Sequence, residues 1–384
     1  MSSTPWTLCL PASAVPVDDV DEELFLIYTR KLQLGAPGGA AGSTALGYLE
    51  GRDGVLDVQL TIAPPLSSST GTVTDANRGG RRAGRTKAAK EQKKEVLVGV
   101  EVHQSLDALR HRKGDTGSVL WRTSLHLAQY LLQSHHFPSP SHPPLLPLLG
   151  ASMTLELGSG TGFLGLALRS IWAERGRWVF SDQAENLGLV VRNLRVNGAR
   201  PLGRISAALA AANGGKMYNS KRMAPNPPPS WYPATHVMEL DWLAEAAAWD
   251  AQPGSLYSLP SSSSHSHSRS APASLINAPD YILAADCIYN PSLSAPLAKT
   301  ILRRAGPHTV VVVACELRDE AAVEEFLRAW VELGEKDGWK VVRIEWGGEE
   351  EREAAGRIAE GTFALWAGWQ PKAWPPREER PTNW

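Results

Sequence analysis

Paired cysteines and an excess of charge of one sign are both missing from this sequence. Its 384 residues contain three cysteines, and none of them belongs to a C-x-x-C pair. Three thiols cannot form a disulfide framework or supply the usual cysteine pair of a zinc site, so we expect a reducing compartment. The 39 basic and 40 acidic side chains leave a net charge of −1. That balance argues against a dedicated nucleic-acid-binding protein, because such domains normally carry a basic excess.

Long hydrophobic runs are also absent. No apolar stretch approaches the roughly 18 residues that a membrane-spanning helix needs. The first ten residues lack the basic flank and the apolar run of a secretory signal peptide. We therefore expect a cytoplasmic protein without a membrane partner, with the nucleus as the alternative location.

Glycine and proline are abundant, with 34 and 28 residues, and many of them stand in tracts of low complexity. The tracts cover about 64–94, 198–233 and 244–278. We predict that they are insertions, because they offer few apolar side chains to a core. The first tract ends in a basic run from Arg81 to Lys94, which we interpret as part of a disordered loop; guidance to RNA or to the nucleus is the alternative. His265 and His267 have no Cys or acidic neighbours, so the sequence predicts no metal site.

Alternating apolar and polar residues predict short strands over residues 1–63 and again after the first tract. The runs Val55–Ile62 and Glu95–His103 alternate cleanly, so we expect them to pair as a hairpin with a long tip. Residues 1–110 are therefore predicted to form a small N-terminal β element.

Residues 111–372 are predicted to form one α/β domain, followed by a tail at 373–384. Seven apolar segments predict strands, and amphipathic segments predict helices. The strand segments are 153–157, 177–181, 236–240, 281–285, 308–314, 339–345 and 362–369. The helix segments are 118–132, 162–173, 184–196 and 319–334. Helices between the earlier strands indicate a parallel sheet, which ends in an antiparallel hairpin.

A glycine-rich loop follows the first of these seven strands. Gly158, Gly160 and Gly162 remove the side chains that would keep a ligand away from the backbone. The helix N-terminus that follows favours an electron-rich group. Glu156 precedes the loop, and we expect its carboxylate to point into the ligand cleft. Asp182 ends the next strand, where an acid can accept hydrogen bonds from both hydroxyls of a ribose.

The loop leaves two interpretations open. Residues 160–165 fit G-x-G-x-x-G, the pattern of dinucleotide-binding sites, and Asp182 fits that class as well. Glu156, the denser glycine spacing and the terminal hairpin favour another cofactor over nicotinamide. The sheet also begins about 150 residues into the chain, which is unusual for a dinucleotide-binding domain.

Several segments together resemble the class I, seven-strand S-adenosylmethionine methyltransferases, and within that class the non-SET protein-lysine branch of the methyltransferase 16 type. The glycine loop resembles motif I of the class. Further matching segments are Gly117-Ser-Val-Leu-Trp-Arg, Ser181-Asp-Gln-Ala-Glu with Asn193 and Asn197, Glu239-Leu-Asp-Trp242, and Ala284-Ala-Asp-Cys-Ile-Tyr-Asn290. The resemblance implies a Rossmann-like α/β sheet with the strand order 3-2-1-4-5-7-6, and S-adenosylmethionine as the cofactor.

The same resemblance implies roles for individual residues. Trp121 would lie against the methionine end or the adenine of the cofactor, Trp242 would flank the adenine, and Ala285 would contact the cofactor. Asp286 and Tyr289 form the D-x-x-Y signature of the branch at the end of the fourth strand. The Asp286 carboxylate would accept a hydrogen bond from the incoming amine, and Tyr289 would present its hydroxyl or its ring face to the same group.

The resemblance also bears on the substrate. Enzymes that methylate nucleic-acid bases carry [D/N/S]-P-P-[Y/F] at this place, whereas Cys287-Ile288 replaces both prolines here and agrees with a protein lysine. The segment before Trp121 and the N-terminal β region most resemble fungal ribosomal lysine methyltransferases. This implies a protein partner, a ribosomal protein of the large-subunit L1 type, and no direct nucleic-acid binding. A non-catalytic assembly factor with the same fold, and methylation of a small molecule or a nucleic acid, stay open as alternatives.

Each candidate residue also has a purely structural interpretation. Asp182 can cap the helix that follows it, Trp121 can pack in the core, and Asp286 can cap a turn at the strand end. Cys287 and Cys315 stand in apolar strand contexts and are expected to be buried thiols. Glu316, just past the fifth strand, is a further candidate for the acceptor pocket.

Overall fold

The computed structural model describes eight parts of the chain, and helices cover both faces of its sheet. The described residues are 5–34, 49, 54–64, 94–111, 116–139, 142–199, 235–257 and 278–371. The strands are β1 (Val15–Pro16), β2 (Val55–Ile62), β3 (Val96–His103), β4 (Met153–Leu157), β5 (Arg177–Asp182), β6 (Thr235–Glu239), β7 (Tyr281–Ala285), β8 (Val310–Glu316), β9 (Lys340–Arg343) and β10 (Phe363–Trp369).

The helices alternate with the strands from β4 onward. They are α1 (Val20–Leu34), α2 (Leu106–His111), α3 (Arg122–His136), α4 (Phe163–Ala167), α5 (Arg169–Trp172), α6 (Ala184–Val196), α7 (Trp242–Ala251), α8 (Pro291–Arg304), α9 (Glu320–Lys336) and α10 (Glu349–Ala355). Within the described ranges, none is both long and apolar enough to cross a membrane.

Eight strands form one sheet in the spatial order β1-β9-β10-β8-β7-β4-β5-β6. Strands β4 to β8 are parallel to their neighbours among themselves, and β10 lies antiparallel between β8 and β9. Counted from β4, seven strands have the order 3-2-1-4-5-7-6, which confirms the predicted α/β fold class and its final antiparallel pair. The two-residue strand β1 adds an eighth strand beside β9, which the prediction did not include.

The central strands are apolar on both faces because helices cover both faces. Along β7, Leu283 enters one hydrophobic cluster with residues of α3 to α6, whereas Ile282 enters a second cluster with residues of α1, α8 and α9. The same alternation continues along β8. The core therefore lies in two layers, and the carboxyl ends of the parallel strands stay free of this packing at one edge.

The N-terminal region contains a helix that the strand prediction missed. Helix α1 begins with three acidic residues in its first turn, which suits a helix N-terminus. Val20, Leu24 and Ile27 are spaced so that they lie on one face of this helix. They are buried in the hydrophobic cluster that also contains residues of α9. The prediction of short strands over residues 1–63 did not include this helix.

The predicted hairpin of β2 and β3 is confirmed. It packs against apolar side chains of α3, α4 and α6. Two amide side chains, one from α6 and one from the C-cap residue after it, complete the free edge of β3. Asn193 accepts from the His103 N–H at 2.8 Å and donates to the His103 carbonyl at 2.9 Å, and Asn197 makes the same pair of bonds with Glu101 at 3.1 and 2.7 Å. These bonds replace the partners that a further strand would supply to β3.

The predicted insertions lie largely outside the described residues, as does the tail at 373–384. Residues 244–251 are an exception, since they form most of α7, which packs against α8. The prediction that the third insertion begins at 244 is wrong for this reason. Its alanine-rich composition reflects helix propensity rather than an unstructured tract.

Candidate active site

A cleft opens at the carboxyl ends of the parallel strands, beside the glycine loop. Its empty space, counted together with the solvent at its open mouth, is about 820 Å³. In open α/β sheets, ligands bind in the crevice at this edge. The cleft wall includes eight of the predicted site residues, namely Trp121, Gly158, Gly160, Asp182, Trp242, Ala285, Asp286 and Tyr289.

Glycines allow the loop after β4 to turn within the cleft. The φ angles of Gly158, Gly160 and Gly162 are 59°, 54° and 73°, in the left-handed region that favours glycine. A Cβ atom on Gly158 would lie 2.7 Å from the Cys287 Sγ and 3.2 Å from the Trp242 ring. Gly162 is not on the cleft wall; it stands at the N-cap of α4, so its role is to turn the chain into that helix.

The segment before α3 forms another wall of the cleft. A Cβ on Gly117 would lie 2.2 Å from the Asn186 Nδ2, and a Cβ on Gly160 would lie 3.1 Å from the Gly117 carbonyl oxygen. This segment therefore touches both the glycine loop and α6 at once. Glycine is required at both positions, because a side chain at residue 117 would collide with Asn186 and one at residue 160 would press on the backbone of Gly117.

Asp182 joins the glycine loop to α6. Its Oδ2 accepts from the Gly160 N–H at 2.7 Å, and its Oδ1 accepts from the Gln183 N–H at 2.8 Å and from the Asn186 Nδ2 at 2.9 Å. Gln183 occupies the N-cap of α6, so Asp182 lies one residue outside the capping position of the structural alternative. The carboxylate is buried on the cleft wall, in the place where an acid meets ribose hydroxyls in this type of sheet.

Two tryptophans line the cleft from different helices. Trp121 stands at the N-cap of α3, and its indole Nε1 donates to the Thr116 carbonyl at 2.7 Å. Trp242 begins α7 directly after Asp241, whose carboxylate caps that helix by accepting from the Leu243 N–H at 2.8 Å. Indole rings of this kind can stack against a planar group.

Glu156 does not reach the cleft, contrary to the prediction. Its side chain is buried next to Trp178, on the face of the sheet that α3 to α6 cover. There its Oε2 accepts from the Trp178 Nε1 at 2.7 Å. Burial raises the pKa of Glu156 to about 8, although the indole bond and a bond to the Gly165 backbone act in the opposite direction. Its role in the structure is to tie β4 to β5.

Asp286 follows β7 in a backbone conformation that few residues adopt. Its φ of 62° is the only positive φ at a non-glycine residue of the described chain, and such conformations cluster at functional sites. Its side chain is 1% exposed, and Oδ1 pairs with Arg318 and accepts from the Glu316 N–H at 3.3 Å. Oδ2 is buried and has no hydrogen-bond partner among the described residues. Tyr289 also lines the cleft.

Charged side chains alternate next to Asp286. Arg318 pairs with Asp286, and its Nη1 lies 3.9 Å from the Glu316 Oε2. Glu316 in turn accepts from the Arg122 Nη2 at 2.7 Å. The Arg318 guanidinium also stacks on Trp121, 4.7 Å from the ring centroid. Glu316, the further candidate for the acceptor pocket, is thus paired with arginines and does not line the cleft. The sequence predicted no role for either arginine.

Cys287 and Cys315 are buried, as predicted. Cys287 lies on the cleft wall, where its thiol donates to the Leu157 carbonyl at 3.3 Å. Burial raises the pKa of both thiols far above the ordinary value, so both stay protonated and are not nucleophiles. Over the described ranges, no three His, Cys, Asp or Glu side chains are close enough together to hold a metal ion.

The cleft also contains residues that had no individual role in the prediction, although all but Asn186 belong to the segments that carried the resemblance. They include Gly117, Ser159, Thr161, Gln183, Asn186 and Asp241. Several directly adjoin a predicted residue, so proximity along the chain was a usable signal. Asn186 had a periodic signal as well, because one turn of helix brings it back to the end of β5, beside Asp182.

The sheet order, the glycine loop and the acid at the end of β5 are together those of a class I methyltransferase, the class whose methyl donor is S-adenosylmethionine. The residues present fit this cofactor. Side chains at Gly158 and Gly160 would fill the space beside the loop, and Asp182 supplies a buried carboxylate at the position for a ribose.

Comparison with known proteins agrees with this class. A family model described as lysine methyltransferase matches residues 101–210 and 269–332, a little under half of the chain. The matched segments include the glycine loop, Asp182, Asp286 and Arg318. The chain is 28% identical over 230 residues to a diaminohydroxyphosphoribosylamino-pyrimidine deaminase of Schizosaccharomyces pombe. That match covers 59% of this chain and only 41% of the relative's length.

Solved structures with partial similarity include methyltransferases of several kinds. Aeropyrum pernix fibrillarin in complex with natively bound S-adenosyl-L-methionine matches with a TM-score of 0.34 and 10% identity, over 71% of this chain and 93% of that one. The mitomycin 7-O-methyltransferase MmcR matches with a TM-score of 0.33 and 11% identity, over 64% and 53%. The class assignment rests on the strand order and the cleft of this chain itself.

Proposed function

We propose that this chain is an S-adenosylmethionine-dependent protein-lysine N-methyltransferase. The observation that carries the proposal is the buried Oδ2 of Asp286. It is a hydrogen-bond acceptor without a donor, on the wall of a cleft that also contains the glycine loop. A buried acceptor of this kind is costly unless a ligand completes it, and an amine N–H is a suitable donor. The lysine methyltransferase model that matches the chain supports the same acceptor.

The cofactor would be held by residues of three elements. The loop at Gly158 and Gly160 would receive it, Asp182 would accept from its ribose hydroxyls, and Trp121 and Trp242 would contact it with their ring faces. When bound, S-adenosylmethionine supplies a methyl group on a positively charged sulfur, which passes to the amine as the nitrogen–carbon bond forms and the sulfur–carbon bond breaks. Alignment of the two reactants can lower such a barrier by about 7–11 kcal/mol.

The chain's own task is to orient a neutral amine and to exclude water. The described cleft wall contains no His or Lys side chain, so it offers no ordinary strong base. An amine with a pKa near 10.4 must therefore lose its proton to water before it reacts. Asp286 and Tyr289 would orient the amine, and the apolar walls favour its uncharged form.

We further propose a protein substrate and a cytoplasmic site of action. Cys287 and Ile288 stand in place of the two prolines of base-methylating enzymes, and the net charge is near zero. The segment before Trp121 and the N-terminal β region resemble fungal ribosomal lysine N-methyltransferase 5, which supports a large-subunit ribosomal protein of the L1 type as the partner. Deaminase activity is not proposed, since zinc deaminases use a C-x-x-C pair and this sequence has none.

The test is methyl transfer from labelled S-adenosylmethionine into a cell lysate, with and without ribonuclease. We expect one labelled protein band that resists ribonuclease, and mass spectrometry of that band identifies the lysine. Asp286→Ala should remove the label while the affinity for the cofactor, measured by calorimetry, changes less than twofold. Asp182→Ala should weaken that affinity at least tenfold.

The matched control is Asp250→Ala, which removes an exposed carboxylate paired with Lys299 on the surface. It should change neither reading. A label that ribonuclease removes would point to nucleic-acid methylation, and the absence of any label in macromolecules would leave the small-molecule or non-catalytic alternatives. Full turnover by Asp286→Ala would refute the role of that residue.

A further inference from the structure

We infer that Arg318 is a positioning residue that neutralises Asp286, so that this carboxylate orients the acceptor amine without holding a proton on it. The inference rests on the proposed function and extends it to a residue outside the cleft wall. Arg318 is not among the residues that line the cleft, so it would not touch the substrate. It acts through the Oδ1 of Asp286 and leaves Oδ2 for the substrate.

The two oxygens of the Asp286 carboxylate differ in their partners. Oδ1 is engaged by the Arg318 guanidinium and by the Glu316 N–H. Oδ2 is buried without a partner, next to the cleft. The positive φ of Asp286 and the bond from its N–H to the Ala314 carbonyl at 2.8 Å fix the position of both oxygens. The carboxylate therefore presents one oxygen only.

Arg318 is itself held in place from two sides. Its guanidinium lies over the Trp121 ring, whose Nε1 is bonded to the Thr116 carbonyl. On the other side it approaches Glu316, which is paired with Arg122. The guanidinium is planar and permanently charged, so stacking and ion pairing are satisfied together, which an ammonium group could not do equally well.

An unpaired buried carboxylate would work against the reaction. A negative charge within about 4–6 Å favours the charged form of an amine, and the charged form has no lone pair with which to attack a methyl group. With Arg318 in place the pair has no net charge. Oδ2 can then accept one N–H of the neutral amine, and the proton that the lysine carries in solution passes to water before transfer.

Other charged and titratable groups near this pair come from α1, α3 and β8. Arg122 comes from α3 and Glu316 from the end of β8, and they pair with each other. From α1, the Lys31 ammonium donates to the Leu317 carbonyl. The buried Cys315 stays a thiol because burial raises its pKa.

His126 stands one turn beyond Arg122 on α3. Burial lowers its pKa to about 4, with smaller contributions from Arg357 and Arg122. It is neutral at and above pH 7. Glu156, whose pKa burial raises to about 8, also titrates between pH 7 and 9.5. Its titration is common to the wild type and the Arg318 variants, so a difference between their pH profiles reports on the acceptor amine.

The decisive experiment compares Arg318→Gln and Arg318→Lys with the wild type over pH 7 to 9.5. At pH 7, Arg318→Gln should lower kcat at least tenfold and should also lower KM for the protein substrate, because the protonated lysine is held more tightly but reacts less. The loss in kcat should shrink as the pH rises towards 9.5. Arg318→Lys, which keeps the charge, should recover most of the rate. Arg328→Gln, at an exposed ion pair of α9, is the matched control and should leave the whole profile unchanged.

A binding measurement gives a reading that does not depend on turnover. Calorimetry with Nα-acetyl-lysine amide, in the presence of S-adenosylhomocysteine, should show several-fold tighter binding at pH 7 to Arg318→Gln than to the wild type. Equal binding, or an equal loss of rate at every pH, would show that Arg318 is merely structural and would overturn the inference. If the wild type labels no protein lysine, the proposed function fails, and the calorimetric comparison alone decides the role of Arg318.

Discussion

At the scale of single residues, Glu156 and Asp286 show how two carboxylates near neighbouring strand ends acquire different chemistry. Glu156 is buried against the Trp178 indole, and its pKa is raised to about 8 because burial penalises the charged form. Asp286 is equally buried but has the Arg318 guanidinium beside it. A cationic partner compensates the loss of hydration that the neutral indole cannot fully replace.

Glu156→Gln should make the folded state more stable at alkaline pH. The carboxyl group titrates near 4.5 when unfolded and near 8 when folded, so the folded state holds the extra proton between these values. The stability that this proton contributes is fully present below pH 4.5 and is lost as the pH rises through about 8. Glutamine keeps an acceptor for the indole and never ionises. We expect the variant to exceed the wild type by on the order of 3 kcal/mol at pH 9, and to differ little at pH 5.

Urea unfolding at the two pH values measures this difference. Glu174→Gln, at an exposed position of the turn after α5, provides the control and should show no pH-dependent gain. If Glu156→Gln is destabilising by the same amount at pH 5 and pH 9, the raised pKa of Glu156 is wrong.

At the scale of elements, the cleft depends on the contact between the segment before α3 and the glycine loop. Gly117 lies against both Gly160 and Asn186, and Asn186 in turn bonds to Asp182. One small residue therefore sets the distance between the two walls. This contact couples the start of α3, with Trp121, to the cofactor side of the sheet.

Gly117→Ala should lower the affinity for S-adenosylmethionine about tenfold, with a smaller effect on the melting temperature. The added Cβ would lie 2.2 Å from the Asn186 Nδ2, so Asn186 must turn away and lose its bond to Asp182. Losing one such buried bond costs about 1–3 kcal/mol. Calorimetric titration of the cofactor measures the change. Gly348→Ala, where the Cβ meets nothing within 4 Å, should bind normally; equal affinities for all three proteins would mean that the wall adapts freely.

At the scale of the whole molecule, α1 is bound to the far edge of the sheet by a buried charge network. Glu23 of α1 accepts from the Trp366 Nε1 at 2.7 Å and pairs with Arg343 of β9. Arg343 also bonds to Glu345 at 2.6 Å, and Glu345 is paired with Arg30 of α1. Residues more than 300 positions apart thus close the sheet edge together.

Glu23→Ala should lower the free energy of unfolding by about 3 kcal/mol. The substitution removes one of the two acidic partners of the buried Arg343 and the hydrogen-bond acceptor of the Trp366 indole. Chemical unfolding followed by tryptophan fluorescence measures the loss, and we expect a single transition at lower denaturant concentration. Glu22→Ala, at the exposed neighbouring position, should have almost no effect. A separate early transition would instead show that α1 unfolds independently of the sheet.

The sequence by itself predicted the features that depend on local pattern. The spacing of Gly158, Gly160 and Gly162, the apolar runs of the parallel strands and the acid at the end of β5 depend on neighbours along the chain. Parallel strands also place their carboxyl ends at one edge, so the meeting of Asp182 and Asp286 around one cleft could be expected.

Only the tertiary structure decided which side chains face the cleft and which charges meet. Glu156 was misplaced because the side to which a strand residue points depends on what covers each face of the sheet. Helix α1 was missed because apolar residues also occupy its solvent face, where Phe25, Leu26 and Leu32 are exposed, and this blurs its amphipathic pattern. Most of its stabilisation comes from tertiary packing rather than propensity. Arg318 carried no signal, since its stacking on Trp121 and its pairing with Asp286 join elements that are distant in the chain. The sequence determined the class of site, whereas the charge balance around the acceptor amine arises only when three distant segments pack together.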